Sequence, residues 1–532
     1  MRTLFCHAPG HAARAQRVEP TLPINISQKP LPAELLRPVI APLIIALIGG
    51  WVYHPLFNLA LWGDDAFLMK LAARHNTFEL LFKGPARSIS QNNFMPLLGI
   101  TFRIDHLLFG LNFTGRNLHS LFWLIAVGYL GHLLLRRLGL KPWTALAGGV
   151  ALMVSPAVVS VAGHFSNRHY LFGLAYALLS LIMIIQWRTQ ARPWMFRAAV
   201  GFYFLALCSK EIYAPLLVVA GFMVWQSGAD VAKTLRAYTA AFGLYLILRW
   251  IMLGSVVGGY TRHIEWGRMF AYLAKSLPRL TETILWGGAL PGRIDRPAVF
   301  LGCLVVAATA LLAMKVSGWR GLAYFCGLLG LSLCVITLTL YVPPIRYAED
   351  PFYCHGDRLA LAFSTAVWLS LSYVVGRLQN AKRIPDKIVL PLCVMVILPL
   401  ALYGGLLKAN RWKMAKATVS QVRFLNRHAS QNWLVIGHPT WFLSHYLMLL
   451  STSSTRVRMQ SIDAPGRGIA WRPEDYPAAV RLQPNLPIQR TGDPLEIQRW
   501  SEDFRVEYCR LFPDRCARPP GAARPARPAA AP

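Results

Sequence analysis

Residues 118–162 read LHSLFWLIAVGYLGHLLLRRLGLKPWTALAGGVALMVSPAVVSVA. Two apolar blocks flank a short connection that carries Arg136, Arg137 and Lys141. Neither block shows the one-sided apolar stripe of a soluble surface helix, and each is about the length that crosses a hydrocarbon core. The stretch therefore predicts a helical hairpin in a bilayer, with its basic turn retained on the cytoplasmic side.

The same alternation runs through much of the chain. Apolar blocks lie at 37–58, 118–136, 143–162, 169–187, 197–209, 212–227, 235–254, 297–315, 320–341, 358–376 and 388–406, about 11 candidate crossings. The fifth is short and runs almost into the sixth, so the two are either a tight hairpin or one span. With 55% hydrophobic and 15% charged residues in 532, the pattern predicts an all-α polytopic membrane protein. The formal net charge of +31 suits anionic membrane lipid, and no basic run interleaved with aromatics on a soluble module points to nucleic acid.

Lys and Arg recur in every second connection: Arg188, Arg192 and Arg197, then Lys233 and Arg236, Lys315 and Arg320, and Arg377, Lys382, Arg383 and Lys387. This places residues 1–36 in the cytoplasm, residues 37–406 in a transmembrane domain, and a long first loop, 59–117, outside. Residues 1–36 lack the short apolar core of a cleaved leader, so the first span is the expected targeting signal. Residues 407–516 change character: NWLVIG and VRMQSID read as strands and predict a small external α/β domain. The tail 517–532, rich in Pro, Ala and Arg, has nothing to build a core and is expected to be disordered.

Cys208, Cys303, Cys326, Cys334 and Cys393 fall in apolar blocks, where a thiol usually packs as a small side chain. Cys509 and Cys516, in EYCRLFPDRC, form a disulfide candidate if the tail is external, although spacing alone does not bring them face to face.

The outer segments carry the chemistry-bearing residues. LWGDDAF, 61–67, sets Asp64 beside Asp65 just after the first span. Adjacent carboxylates near a membrane surface repel, which favours either a raised pKa or a bound cation, and a positioned Asp can take a proton from a hydroxyl. The plainer alternative is a helix cap before AFLMKL. A divalent cation, Mg or Mn, is compatible with Asp64 or Asp65 but not required by them, and no cofactor is demanded. After the pair, AFLMKLAARHNTFELLFKG spaces Phe67, Leu71, Phe78 and Leu81 as one face of a helix lying in the interface plane.

Arg168, Lys210 and Arg358 each fall at an outer span end, and Arg249 lies near another. Buried cations need an anion, and an Arg fork with a Lys point charge suits phosphate. The alternative is internal pairing, Glu211 with Lys210 and Asp357 with Arg358, while Arg249 either contacts phosphate or snorkels. Arg346, Glu349 and Asp350 charge the last outer loop, and His164, His169 and His355 are candidates to line a pocket, while their scattered spacing does not make a metal site.

The order of five stretches adds a likeness: LWGDDAF, then NNFMPLLGITFRIDHLLFGLNFTGRNLHSLFWL at 92–124, SPAVVSVAGHFSNRHYLFGLAYALLSL at 155–181, FLALCSKEIYAP at 204–215 and CHGDRLALAFS at 354–364. This succession resembles the GT-C superfamily of membrane glycosyltransferases, in particular the protein O-mannosyltransferase-like branch that carries tetratricopeptide repeats, without the repeats. The resemblance implies a polyprenyl-phosphate-linked sugar as donor, inverting transfer to an acceptor hydroxyl, and an acidic catalytic element at Asp64 and Asp65. It further implies matched positions at Arg168, Lys210, Glu211 and Arg358. Ser155, Met95 and His169 depart from the branch pattern, which has His, Arg and an acid there. The acceptor class, whether glycan, lipid or protein, and the sugar stay open, and an Ala- and Arg-rich composition points to a bacterial inner membrane with undecaprenyl phosphate as carrier. A lipid-linked-sugar transporter or flippase, a non-catalytic envelope scaffold and an O-antigen-ligase-like or polymerase-like enzyme are the competing classes.

Overall fold

The computed structural model describes residues 37–54, 65–82, 94–110, 112–163, 165–225, 231–254, 296–340, 360–385, 387–389 and 393–402, four short strands between 433 and 491, and scattered single residues and pairs that include Phe57 and Arg358. The helices are α1 (Arg37–Tyr53), α2 (Asp65–Arg74), α3 (Thr77–Phe82), α4 (Pro96–Phe109), α5 (Phe113–Arg137), α6 (Pro142–Val154) and α7 (Pro156–Ala162). They continue with α8 (Arg168–Gln190), α9 (Pro193–Ser209), α10 (Leu216–Trp225), α11 (Val231–Leu253), α12 (Arg296–Leu340) and α13 (Leu361–Asn380).

Local chemistry sets these boundaries. Pro142, Pro156 and Pro193 open α6, α7 and α9, where the missing N–H costs nothing. Asn112 caps α5 by accepting the Gly115 N–H at 3.3 Å. Inside the 45-residue α12, Gly318 has φ 63 and ψ −156, so the element is two arms meeting at a sharp bend, at the position where the sequence separates the blocks 297–315 and 320–341.

Among the described residues four helices are long and apolar enough to cross a membrane: Phe113–Arg137, Phe165–Gln190, Val299–Gly330 and Leu361–Asn380. Shorter apolar helices are Val39–Tyr53, Pro142–Val154, Pro193–Ser209, Glu211–Val224 and Lys387–Leu402. The short ones have a local cause: Pro156 divides the block 143–162, and a single 3-10 turn, Glu211–Tyr213, divides α9 from α10. The close pair of blocks at 197–209 and 212–227 is thus two helices joined by a corner at Lys210. The chain is an integral membrane protein by these helices and by what they leave bare, since Leu43, Leu47, Phe122, Ile247, Phe300 and Leu311 are exposed large hydrophobics. Exposed Trp143, Trp194 and Trp319 lie near the basic connections and Trp51 and Trp250 near the opposite helix ends, the positions at which indoles favour the two interfaces.

The core lies between α5, α6, α8 and α9, with α13 against α6 and α12. Small residues allow the closest approach: a Cβ added at Gly149 of α6 would sit 2.5 Å from the Gly128 carbonyl oxygen of α5.

The expected single amphipathic helix after the acidic pair is corrected. It is two helices, broken at His75 and Asn76, where Asn76 and Glu79 cap each other's backbone N–H groups (2.9 and 3.2 Å). The buried face is Leu68, Met69, Ala72 and Leu80, while Phe78 is exposed, because the pair packs on α4.

Strands β1 (Trp433–Ile436), β2 (Met459–Ile462), β3 (Ala478–Arg481) and β4 (Gln489–Thr491) form a mixed sheet in the order β2-β1-β3-β4. β1 is parallel to both neighbours, with Val435 opposite Ser461 and Val480, and β4 is antiparallel to β3. The segment between β1 and β2 lies outside the described residues, as do residues 1–36, Cys509, Cys516 and the tail.

Candidate functional site

A three-residue 3-10 turn, Phe165–Asn167, which leads into α8, is the hub of the site. The Ser166 N–H donates to Asp65 Oδ1 at 2.6 Å, across 101 positions of sequence. The Ser166 carbonyl oxygen lies 2.7 Å from His169 Nδ1, and Asn167 Oδ1 accepts from Arg358 Nη1 at 3.0 Å. Asp65 is buried at the start of α2, so its carboxylate ties the segment after α1 to the head of α8. Asp64, Arg346, His355 and Asp357 lie outside the described residues.

Arg168 leaves this turn into a network the sequence did not announce. Its Nη1 donates to Asp105 Oδ2 at 2.6 Å, its Nε to Ser120 Oγ at 3.0 Å and its Nη2 to the Arg116 carbonyl at 3.4 Å. The other oxygen of Asp105 is 2.6 Å from His119 Nδ1, and the Trp123 indole N–H donates to His119 Nε2 at 3.0 Å. An indole only donates, so Nε2 of His119 accepts, while Nδ1 lies between Asp105 Oδ1 and Arg168 Nη1, which is 2.9 Å from it. Burial works against ionising Asp105, yet the hydrogen bond from His119 and the positive charge of Arg168 outweigh it and hold the carboxyl below its ordinary range. Arg168 is thereby oriented by protein groups along three of its edges.

Arg116 is a second buried guanidinium missed from sequence. Its Nε (3.0 Å) and Nη2 both donate to the Gly110 carbonyl, at the turn between α4 and α5, and its Nη1 has no hydrogen-bond partner among the described residues.

Lys210, at the corner after α9, lies 3.0 Å from Glu211 Oε1 and 3.7 Å from the sulfur of Met95. Glu211 Oε2 is 3.8 Å from Arg249, whose Nη1 donates to the Tyr245 hydroxyl at 3.4 Å. The internal pairing raised for Lys210 is present, and Arg249 turns into the bundle toward the same carboxylate instead of snorkelling.

These groups sit at corresponding ends of antiparallel helices: the first turns of α5 and α8, the residue after α9, the last turns of α11 and the approach to α13. Among the described residues, the buried charged side chains here are five cations, Arg116, Arg168, Lys210, Arg249 and Arg358, against three carboxylates, Asp65, Asp105 and Glu211. A positive excess held out of water attracts an anion. Among the described residues no group of three His, Cys, Asp or Glu side chains is placed to hold a metal ion.

No family model matches the chain, and no curated protein matches it. Among solved structures it is similar to a crystal structure of ArnT from Cupriavidus metallidurans bound to undecaprenyl phosphate, at 14% identity and a TM-score of 0.43 over 83% of this chain and 92% of that one. It is also similar to the Archaeoglobus fulgidus oligosaccharyltransferase tethered to an acceptor peptide, at 11% identity and a TM-score of 0.39 over 79% of this chain and 63% of that one.

Proposed function

We propose that this chain is an inverting, GT-C-type glycosyltransferase that moves a sugar from a polyprenyl-phosphate carrier to an acceptor hydroxyl at the outer face of the membrane. The observation that carries the proposal is the buried excess of five cations over three carboxylates among the described residues, gathered at one end of an apolar bundle. An anion with a long apolar tail satisfies both parts at once: the bundle's bare apolar surface takes the tail and the cations take the phosphate.

The roles follow from how each group is held. Arg358 and Lys210 flank the head of α8 and take the phosphate, whose charge grows as the sugar leaves; stabilising that developing charge is the main electrostatic contribution. Arg168, oriented by Asp105 and Ser120, adds field from behind. Asp64 takes the proton of the acceptor hydroxyl as the hydroxyl oxygen forms its bond to the anomeric carbon and the phosphate oxygen departs with the bonding pair. Asp65, anchored on the Ser166 N–H, fits an orienting role beside it. A divalent cation bound at Asp64 or Asp65 would add positive charge near the leaving phosphate, and no step above depends on it. Residues 407–516 are assigned to an external domain on the side from which the acceptor comes.

The test is release of polyprenyl phosphate by purified protein from a panel of polyprenyl-phosphate sugars, with Asp64→Asn beside the wild type. A transporter or a scaffold would release none.

A further inference from the structure

His169 stands out at the head of α8. It is 4% exposed, its Nδ1 lies 2.7 Å from the Ser166 carbonyl oxygen, and its Nε2 is buried with no hydrogen-bond partner among the described residues. A carbonyl only accepts, so Nδ1 carries the ring hydrogen. Arg358 bonds Asn167, two residues before this ring, and Ser209, which precedes Lys210, packs against Gly173 one turn further along α8; with two cations placed around the head of this helix, the ring is read as neutral, which leaves a lone pair on Nε2. A buried acceptor without a donor costs free energy that a bound partner can recover.

Phosphate oxygens satisfy Lys210 and Arg358 but do nothing for a lone pair, whereas a headgroup that also carries O–H satisfies all three. We propose that His169 Nε2 accepts a hydrogen bond from a hydroxyl of the donor's sugar, so that this residue selects a phosphosugar over a bare phosphate. The inference rests on the polyprenyl-phosphate reading above and adds which side chain reads the sugar. It also gives a use to the position where the branch pattern has an acid: His accepts from a hydroxyl without adding negative charge against the phosphate.

The test measures equilibrium binding of two lipids, polyprenyl phosphate and a polyprenyl-phosphate hexose, to full-length protein in detergent. His169→Asn keeps a side-chain donor for the Ser166 carbonyl and removes the atom at Nε2, whereas the longer amide of His169→Gln can place an acceptor there. The expected result is about tenfold weaker binding of the hexose lipid by His169→Asn, the size of one net hydrogen bond, with bare polyprenyl phosphate unchanged and His169→Gln within about threefold of wild type. Equal weakening of both lipids, or of neither, overturns the assignment while leaving the phosphate reading standing. Wild-type protein that binds neither lipid overturns that reading, and the role of His169 with it. If His169→Asn does not fold, His169→Leu, which fills the site without an acceptor, is compared with wild type on both lipids: weakening confined to the hexose lipid supports the assignment, and equal weakening of both or of neither overturns it.

Discussion

Replacing Asp105 with Asn removes the one carboxylate among the described residues that faces both Arg168 and His119. The side chain is fully buried, and its two oxygens accept two contacts of 2.6 Å. Hydrogen bonds to charged groups contribute about 1.5–3 kcal/mol each, and removing one partner of a buried ion pair typically costs about 3–5 kcal/mol. Asn keeps one acceptor oxygen but turns its NH₂ toward a donor, so the expected loss is about 3–4 kcal/mol. Unfolding in mixed micelles, followed by tryptophan fluorescence, measures it. A cycle with Arg168→Gln separates the pair from its surroundings, and coupling of at least about 1.5 kcal/mol is expected. The pH profile gives a second readout. The folded carboxyl titrates below its ordinary value of 3.8, so its contribution is complete above pH 3.8 and is lost as pH falls through the folded value. The gap between wild type and Asp105→Asn should therefore be constant near neutrality and close only in strong acid. A loss under about 1 kcal/mol, or no coupling to Arg168, refutes the claim that Asp105 holds this guanidinium.

Gly149→Ala should lower stability by about 1–3 kcal/mol, read as a drop in thermal midpoint, because its Cβ would meet the Gly128 carbonyl at 2.5 Å and the His132 nitrogen at 2.9 Å, backbone atoms that cannot rotate away. Glu211→Gln should destabilise the corner by about 3 kcal/mol by leaving Lys210 and Arg249 to face a neutral group, and added polyprenyl phosphate should raise its midpoint more than it raises that of wild type, since the phosphate replaces the missing anion.

Much of the architecture was legible because a bilayer imposes its own period. Apolar blocks separated by Arg136–Lys141 or Lys315–Arg320 declare helices by chemistry that needs no tertiary context, whereas the block 143–162, read as one span, is divided at Pro156. The amphipathic face after LWGDDAF misled, since Phe67, Leu71, Phe78 and Leu81 fit one helix until Asn76 and Glu79 close a capping box in its middle. In the site, Arg168, Lys210, Glu211, Arg249 and Arg358 drew notice because charge at an apolar span end is costly. Asp105, Arg116 and His119 were passed over although they stand in the quoted stretch 92–124. Asp105 and Arg116 stand in a connecting segment, where charge is ordinary, and His119 at the start of the block 118–136; the fold of α4 against α5 and α8 buries Asp105 and Arg116 and leaves His119 half-buried. An acid amid the apolar residues of FRIDHLLF was the available signal.

The measurement that bears most directly on the central claim is the stoichiometry and stereochemistry of transfer by purified protein offered a polyprenyl-phosphate sugar and an acceptor mixture. The account predicts one polyprenyl phosphate released per sugar transferred, an inverted anomeric centre in the product, and loss of both in Asp64→Asn. Full turnover by Asp64→Asn, or a wild-type protein that binds the donor and never cleaves it, would contradict it.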